Sequence, residues 1–211
     1  MSRRLGGDAF LKAIVLRDDE DDAPAADDDV PRPSRDAKQY PFTIPAVRAL
    51  KEPLDLHPKV TFFVGENGSG KSTILEALAV AAGFNAEGGT KNFNFETRAS
   101  HSPLHEHLVV AWGRRPKDGF FFRGESFYTV ATYIEGIGGL DSYGGRSLHE
   151  RSHGEAFLAL VNNRFGGEGL FLLDEPESAL SPARLLSLLA AIHGLTRRGS
   201  QVVIATHSPV L

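Results

Sequence analysis

The sequence predicts an α/β fold: a central, mostly parallel sheet flanked by helices, with an antiparallel wing near the N-terminus and a short helical lid. Three observations predict it. Segments 60–64, 170–173 and 201–206 are apolar or β-branched nearly throughout, as expected of strands covered on both faces in a parallel sheet. Runs of helix formers at 74–82 and 182–193 alternate with them, the order that crossover connections require. A glycine-rich loop, Gly65-Glu66-Asn67-Gly68-Ser69-Gly70-Lys71-Ser72-Thr73, joins the first of these strands to the first of these helices.

From the N-terminus, residues 10–17 alternate loosely and read as a first strand. Residues 18–36 form an acidic stretch with Pro24, Pro31 and Pro33, which repels itself and buries no apolar area; it is expected to be a mobile solvent loop. Residues 40–44 read as a second, edge strand ended by Pro45. Residues 47–50 fit a helical turn or a strand, and Leu54 to Leu56 complete the antiparallel wing. Tyr40 or Phe42 has the chemistry to stack on adenine, although an aromatic residue in such a strand is more often core.

The glycine loop fits the pattern G-x-x-x-x-G-K-[ST], and the chemistry explains the spacing. A triphosphate needs several backbone N–H groups converging on its oxyanions, and only glycine lets the chain curl tightly enough; Gly65, Gly68 and Gly70 supply the curl. Lys71 then reaches the β- and γ-phosphates, the Ser72 hydroxyl ligates Mg²⁺, and the helix N-terminus adds its positive dipole end. The helix is expected to stop at Gly83.

Residues 85–107 are polar and carry His101, His105 and His107. That spacing suits either a zinc site or a surface loop, and the absence of cysteines and paired carboxylates favours the loop. Residues 108–112 read as a strand, 114–119 as a turn and 119–127 as a buried strand running into a loop. Residues 128–135 then form a short helix before the glycine-rich turn 136–145. Ser152 is a candidate N-cap with Glu155 three residues on.

The run Leu170-Phe171-Leu172-Leu173 delivers Asp174 and Glu175 to the carboxyl edge of the sheet, where ligands bind in parallel sheets. Asp174 is suited to hold the water shell of Mg²⁺, and Glu175 to orient or deprotonate an attacking water. A helix over 182–193 follows, with Ser181 as N-cap and Pro182 in its first position. The last strand ends at His207-Ser208-Pro209, which places an imidazole where it can reach a γ-phosphate.

At 211 residues the chain is long enough to bury a core as a single domain, 1–211. With no cysteine it has neither a disulfide framework nor a thiolate metal or redox site. No apolar run approaches the roughly 20 residues of a membrane-spanning helix, and the N-terminus lacks the apolar centre of a secretory signal; a soluble, cytoplasmic protein is expected. The net charge of −4 reflects the eight acidic residues of 18–29, without which 23 basic residues face 19 acidic ones. That balance suits an anionic nucleotide and is too weak to argue for nucleic acid.

In order, the phosphate loop, Ser152-His153-Gly154-Glu155, Leu172-Leu173-Asp174-Glu175-Pro176, Ser178-Ala179-Leu180-Ser181 and Thr206-His207-Ser208-Pro209 resemble the ATP-binding cassette (ABC) superfamily, a branch of the P-loop NTPase fold. The resemblance covers about residues 62–209 and is greatest to soluble ATPases of the repair and chromosome-maintenance branch. It implies that ATP and Mg²⁺ are the cofactors and that Lys71, Glu175 and His207 are catalytic. It also implies that Ser152, Gly154 and Glu155 contact the γ-phosphate bound to a second subunit, and that residues 178–181 line the interface of an ATP-dependent head-to-tail homodimer. The chain departs from the family pattern at His153, at Glu155 and at the glutamine loop, where Glu125 is the nearest substitute. The stretch 125–152 is too short for the helical subdomain with which transporter ATPases grip membrane partners. An ATP-binding transporter subunit and an ATP-gated DNA-binding or assembly module are the two alternatives, and an unidentified protein partner fits either.

Overall fold

The computed structural model describes residues 9–17, 36, 38–91 and 102–211. The acidic stretch, Asp36 apart, and His101 lie outside these residues.

Two sheets form the scaffold. Strands β3 (Val60–Val64), β5 (Asp118–Arg123), β6 (Gly169–Asp174) and β7 (Gln201–Thr206) make a parallel sheet in the order β3-β7-β6-β5. Its residues alternate between two cores. Phe121, Leu172, Val203 and Ala205 face helix α2 (Lys71–Ala81), while Phe120, Phe122, Phe171, Leu173, Val202 and Ile204 face the opposite layer. That layer is built from α3 (Phe127–Gly136), α4 (His153–Arg164) and α5 (Pro182–Arg197). Apolar residues are therefore needed at the interior positions of β6 and β7, Leu170–Leu173 and Val202–Ala205, which explains the unbroken runs read from the sequence.

The second sheet is the antiparallel wing, in the order β2-β1-β4, from β1 (Leu11–Leu16), β2 (Leu54–Asp55) and β4 (Leu108–Trp112). Gln201, fully buried at the start of β7, ties wing to sheet. Its Oε1 accepts from the Phe10 and Leu11 amides, and its Nε2 donates to the Leu11 and His57 carbonyls at 2.8–3.0 Å. All four bonding positions of a buried amide are thereby satisfied.

Residues 40–44 are not the edge strand the sequence suggests. Their amides are spent locally, Thr43 bonding to Gln39 and Ile44 to Pro41, so no ladder forms, and the segment runs through turns into helix α1 (Pro45–Ala49). Phe42 is instead part of the core, edge-on to the His107 ring at 5.0 Å, while Tyr40 is 62 % exposed. His107 is buried there, at the end of a 3-10 turn over Pro103–His107, and among the described residues no cluster of three or more His, Asp or Glu is placed to hold a metal. Helix α5 runs past His193 and through Gly194, because Leu195 continues the buried stripe of Leu185, Leu188 and Ile192. Between β5 and α4 the lid consists of α3 and a 3-10 turn over Gly139–Tyr143. No helix of the described residues is long and apolar enough to cross a membrane.

Candidate nucleotide-binding site

The register of the parallel sheet brings the sequence motifs to one edge. Val64 pairs with Thr206, Asp174 with Ala205 and Arg123 with Asp174. The glycine loop, the two carboxylates, His207 and Arg123 therefore leave the same carboxyl end of the sheet, where ligands of parallel sheets bind.

The loop between β3 and α2 has the curl expected of it. Gly68 and Gly70 have φ of +77° and +97°, and a Cβ at Gly70 would lie 2.6 Å from Ile44 Cγ2, so only glycine fits there. Lys71 is buried and its Nζ donates to the Glu66 carbonyl at 2.8 Å, holding the ammonium across the loop. Ser69 Oγ is buried with no hydrogen-bond partner among the described residues. Glu66 and Asn67 are exposed on the loop's outer side, and Thr73 is half-buried on α2.

Ser72 and Asp174 meet directly, the hydroxyl hydrogen-bonding to the carboxylate. Asp174 is buried, and its Oδ1 has no hydrogen-bond partner among the described residues. Burial above all, with the charges of Glu175 and Glu125, pushes its carboxyl up to about 6 against the opposing effects of Ser72 and Arg123. A buried orphan carboxylate oxygen beside a hydroxyl is a donor set that fits a hard, oxygen-seeking cation such as Mg²⁺. In the metal-free protein the raised value has a sign. The protonated form is favoured by folding, so its contribution of ~3 kcal/mol is fully present below the ordinary value of 3.8 and is lost as pH rises through about 6. Asp174→Asn is expected to melt higher than the wild type at pH 8 in chelator, and the difference to vanish near pH 4. A difference independent of pH would remove the burial cost from Asp174.

Two site residues had no motif to announce them. Arg123 ends β5, and its guanidinium pairs with Glu76 at 2.8 Å and with Glu125, with Nε 3.9 Å from Asp174 and without a hydrogen-bond partner among the described residues. Glu76 lies one helical turn beyond Ser72, so Arg123 braces α2 against the strand edge. The signal in the sequence was an arginine closing a run of three phenylalanines. Glu177, on a 3-10 turn over Pro176–Ala179, is the other. Its Oε1 accepts from Thr206 Oγ1 at 2.6 Å and from the His207 and Ser208 amides at 2.8 and 3.2 Å.

Glu175 has φ of +46°, in the left-handed region that non-glycine residues enter at a cost of order 1 kcal/mol or more. Its amide donates to the Ala205 carbonyl, which fixes the bend, and its carboxylate lies 3.6 Å from His207 Nδ1. Ser72, Glu125, Asp174, Glu175 and Ser178 line one cavity of about 510 Å³, a size ordinary for small-ligand sites.

Ser152, Gly154 and Glu155 are placed differently. Ser152 and Glu155 form a reciprocal capping box at the start of α4, and Arg184 of α5 donates to both. The Ser152 hydrogen bonds and, less strongly, Arg184 hold the exposed Glu155 carboxyl below its ordinary value. Gly154 packs on the turn after β6: a Cβ there would lie 2.6 Å from the Ala179 carbonyl oxygen. His153, where the sequence departs from the family pattern, packs at a tilt against the Tyr128 ring, centroids 5.2 Å apart, and reaches the cavity of Ser72 and Asp174. Glu125 reaches the same cavity.

Fold and loop together define a P-loop ATPase. Two family models described as AAA domains match the chain: "AAA domain" over residues 44–132 and "AAA domain, putative AbiEii toxin, Type IV TA system" over residues 150–211. The cytochrome c biogenesis ATP-binding export protein CcmA of Mesorhizobium japonicum is 30% identical over 158 residues, covering 69% of this chain and 77% of that protein. This chain belongs to the ATP-binding cassette ATPases: it binds and hydrolyses ATP. The ribose import ATP-binding protein RbsA of Roseobacter denitrificans is 26% identical over 85% of this chain, which spans only 39% of that relative's length. The DNA replication and repair protein RecF of Colwellia psychrerythraea is 72% identical over 25 residues, or 12% of this chain and 7% of that protein. Among solved structures, UvrA2 from Deinococcus radiodurans aligns with 74% of this chain and 27% of its own at 18% identity and a TM-score of 0.26.

Proposed function

We propose that the chain is one ATPase domain that hydrolyses Mg-ATP at the interface of a head-to-tail homodimer. The observation that carries this reading is the convergence, at one edge of the parallel sheet, of the glycine loop, the Ser72–Asp174 pair and the Glu175–His207 pair. Gly65 to Thr73 wrap the triphosphate with amides, and Lys71 leaves the Glu66 carbonyl for the β- and γ-phosphates. Ser72 and Asp174 hold Mg²⁺, which when bound neutralises charge on the phosphate oxygens. Glu175 orients the attacking water and accepts its proton, and His207 steadies the γ-phosphate. Catalysis is positional and electrostatic. Glu125 occupies the place of the family's glutamine loop.

Ser152, Gly154 and Glu155 close the site of a second copy. Ser152 and Glu155 are exposed at the N-terminus of the twelve-residue helix α4, and their partners are Arg184 and each other, not the chain's own phosphate loop. The short lid and the stretch shared with the repair protein favour a soluble, cytoplasmic ATPase of the repair and chromosome-maintenance branch, with DNA or another protein as its target. The match to an export ATPase over most of the chain supports a transporter subunit as the second reading.

The test is to follow turnover per chain against protein concentration while measuring mass by light scattering with and without Mg-ATP. Turnover per chain is expected to rise with concentration as ATP drives dimers. Concentration-independent turnover by monomers would overturn the dimer.

A further inference from the structure

We infer that Glu177 is a positioning residue for hydrolysis, fixing the tautomer and aim of His207 and linking that imidazole to the turn at the dimer interface; the inference rests on the dimeric site proposed above. Glu177 has a side chain only 7% exposed, and its bonds fall on one oxygen. Oε1 takes the Thr206 hydroxyl, the His207 amide and the Ser208 amide, and lies 3.3 Å from His207 Nδ1; Oε2 is buried with no partner among the described residues.

The charge is what needs explaining. A hydroxyl and two amides are neutral donors that a glutamine carbonyl would satisfy as well, without the desolvation that burial of an ionised carboxylate costs. The remaining neighbour, the imidazole, gains from a negative charge. A carboxylate facing Nδ1 holds the proton on that nitrogen, which leaves Nε2 as the free end of the ring. Glu175 faces the same Nδ1 from 3.6 Å, so two carboxylates converge on one ring nitrogen. The nearer one, Glu177, sits where it grips the whole segment from Thr206 to Ser208.

Its position on the chain adds the link. The 3-10 turn Pro176–Ala179 that carries Glu177 also presents Ser178, whose Oγ donates to the Glu175 carbonyl at 2.8 Å, and Ala179, whose carbonyl lies against Gly154 of α4. A shift of this turn as a second copy docks moves the carboxylate that aims His207, so assembly and alignment of the imidazole are one event.

The experiment compares kcat and KM for wild type, Glu177→Gln, His207→Ala and the double variant, with thermal melts and ¹⁵N spectra of labelled histidine. Glu177→Gln is expected to keep KM, to melt no lower than the wild type and to lower kcat by about 10- to 100-fold, the usual cost of losing an orienting partner. In the His207→Ala background it should change kcat less than about twofold, since coupled residues are non-additive. The His207 spectrum should move from the Nδ1–H tautomer towards a mixture. Should Glu177→Gln fail to fold, Glu177→Asp keeps the charge but withdraws it, and the same kcat loss and non-additivity are expected. Wild-type kcat in the Gln variant, multiplicative losses in the double, or an unchanged tautomer would overturn the inference. A wild type with no ATP turnover would instead strike the proposed site itself, and the tautomer measurement stands independently of it.

Discussion

Lys71→Ala will abolish tight ATP binding while leaving the protein folded. The Lys71 ammonium is buried at the mouth of the loop and donates to the Glu66 carbonyl. Glu66 is exposed, so when the ammonium is removed water takes its place at that carbonyl and little folding free energy is lost. Binding has no such substitute. A charged donor to two phosphate groups contributes about 3–4 kcal/mol, so affinity should fall roughly a hundred- to a thousand-fold, read by calorimetric titration of Mg-ATP. Unchanged affinity with an unchanged melting curve would displace the nucleotide from this loop.

Glu175→Gln will preserve binding, stop turnover and accumulate the ATP-bound dimer. Glutamine keeps the length and the left-handed backbone of this position at similar cost, so the bend after β6 is retained. What it loses is the capacity to accept a proton from water. General-base catalysis contributes roughly 10²–10⁴-fold, and kcat should fall by that factor with KM held. With hydrolysis blocked, the dimer that ATP assembles has no route to disassemble, and light scattering should show it persisting. Normal turnover in this variant would remove Glu175 from the chemistry, and turnover lost without a dimer would separate chemistry from assembly.

These expectations rest on features of unequal visibility in the sequence. The parallel strands were legible because burial on both faces demands unbroken apolar runs, and the loop because the glycines at 68 and 70 answer a backbone requirement that few other residues meet. The capping box at Ser152 and Glu155 is likewise a local interaction with local signs. Residues 40–44 misled because Phe42 is apolar for the sake of a contact with His107, sixty-five positions away, and not for pairing in a sheet. Arg123 and Glu177 were invisible for the same reason: the distant partners of Arg123 lie on α2 and β6, and those of Glu177 at the end of β7 and just after it. Only the register of the sheet brings them within reach.

The Gln201 amide bears on how the molecule is made. It holds Phe10 and Leu11 from 191 and 190 positions further along the chain. During synthesis, β1 waits for its latch until the 190 positions that separate Leu11 from Gln201 have been added. Contacts of such long sequence separation form late because the intervening chain must be ordered first. β1 is therefore made well before it can be secured, and its closure onto β7 is a late step of folding.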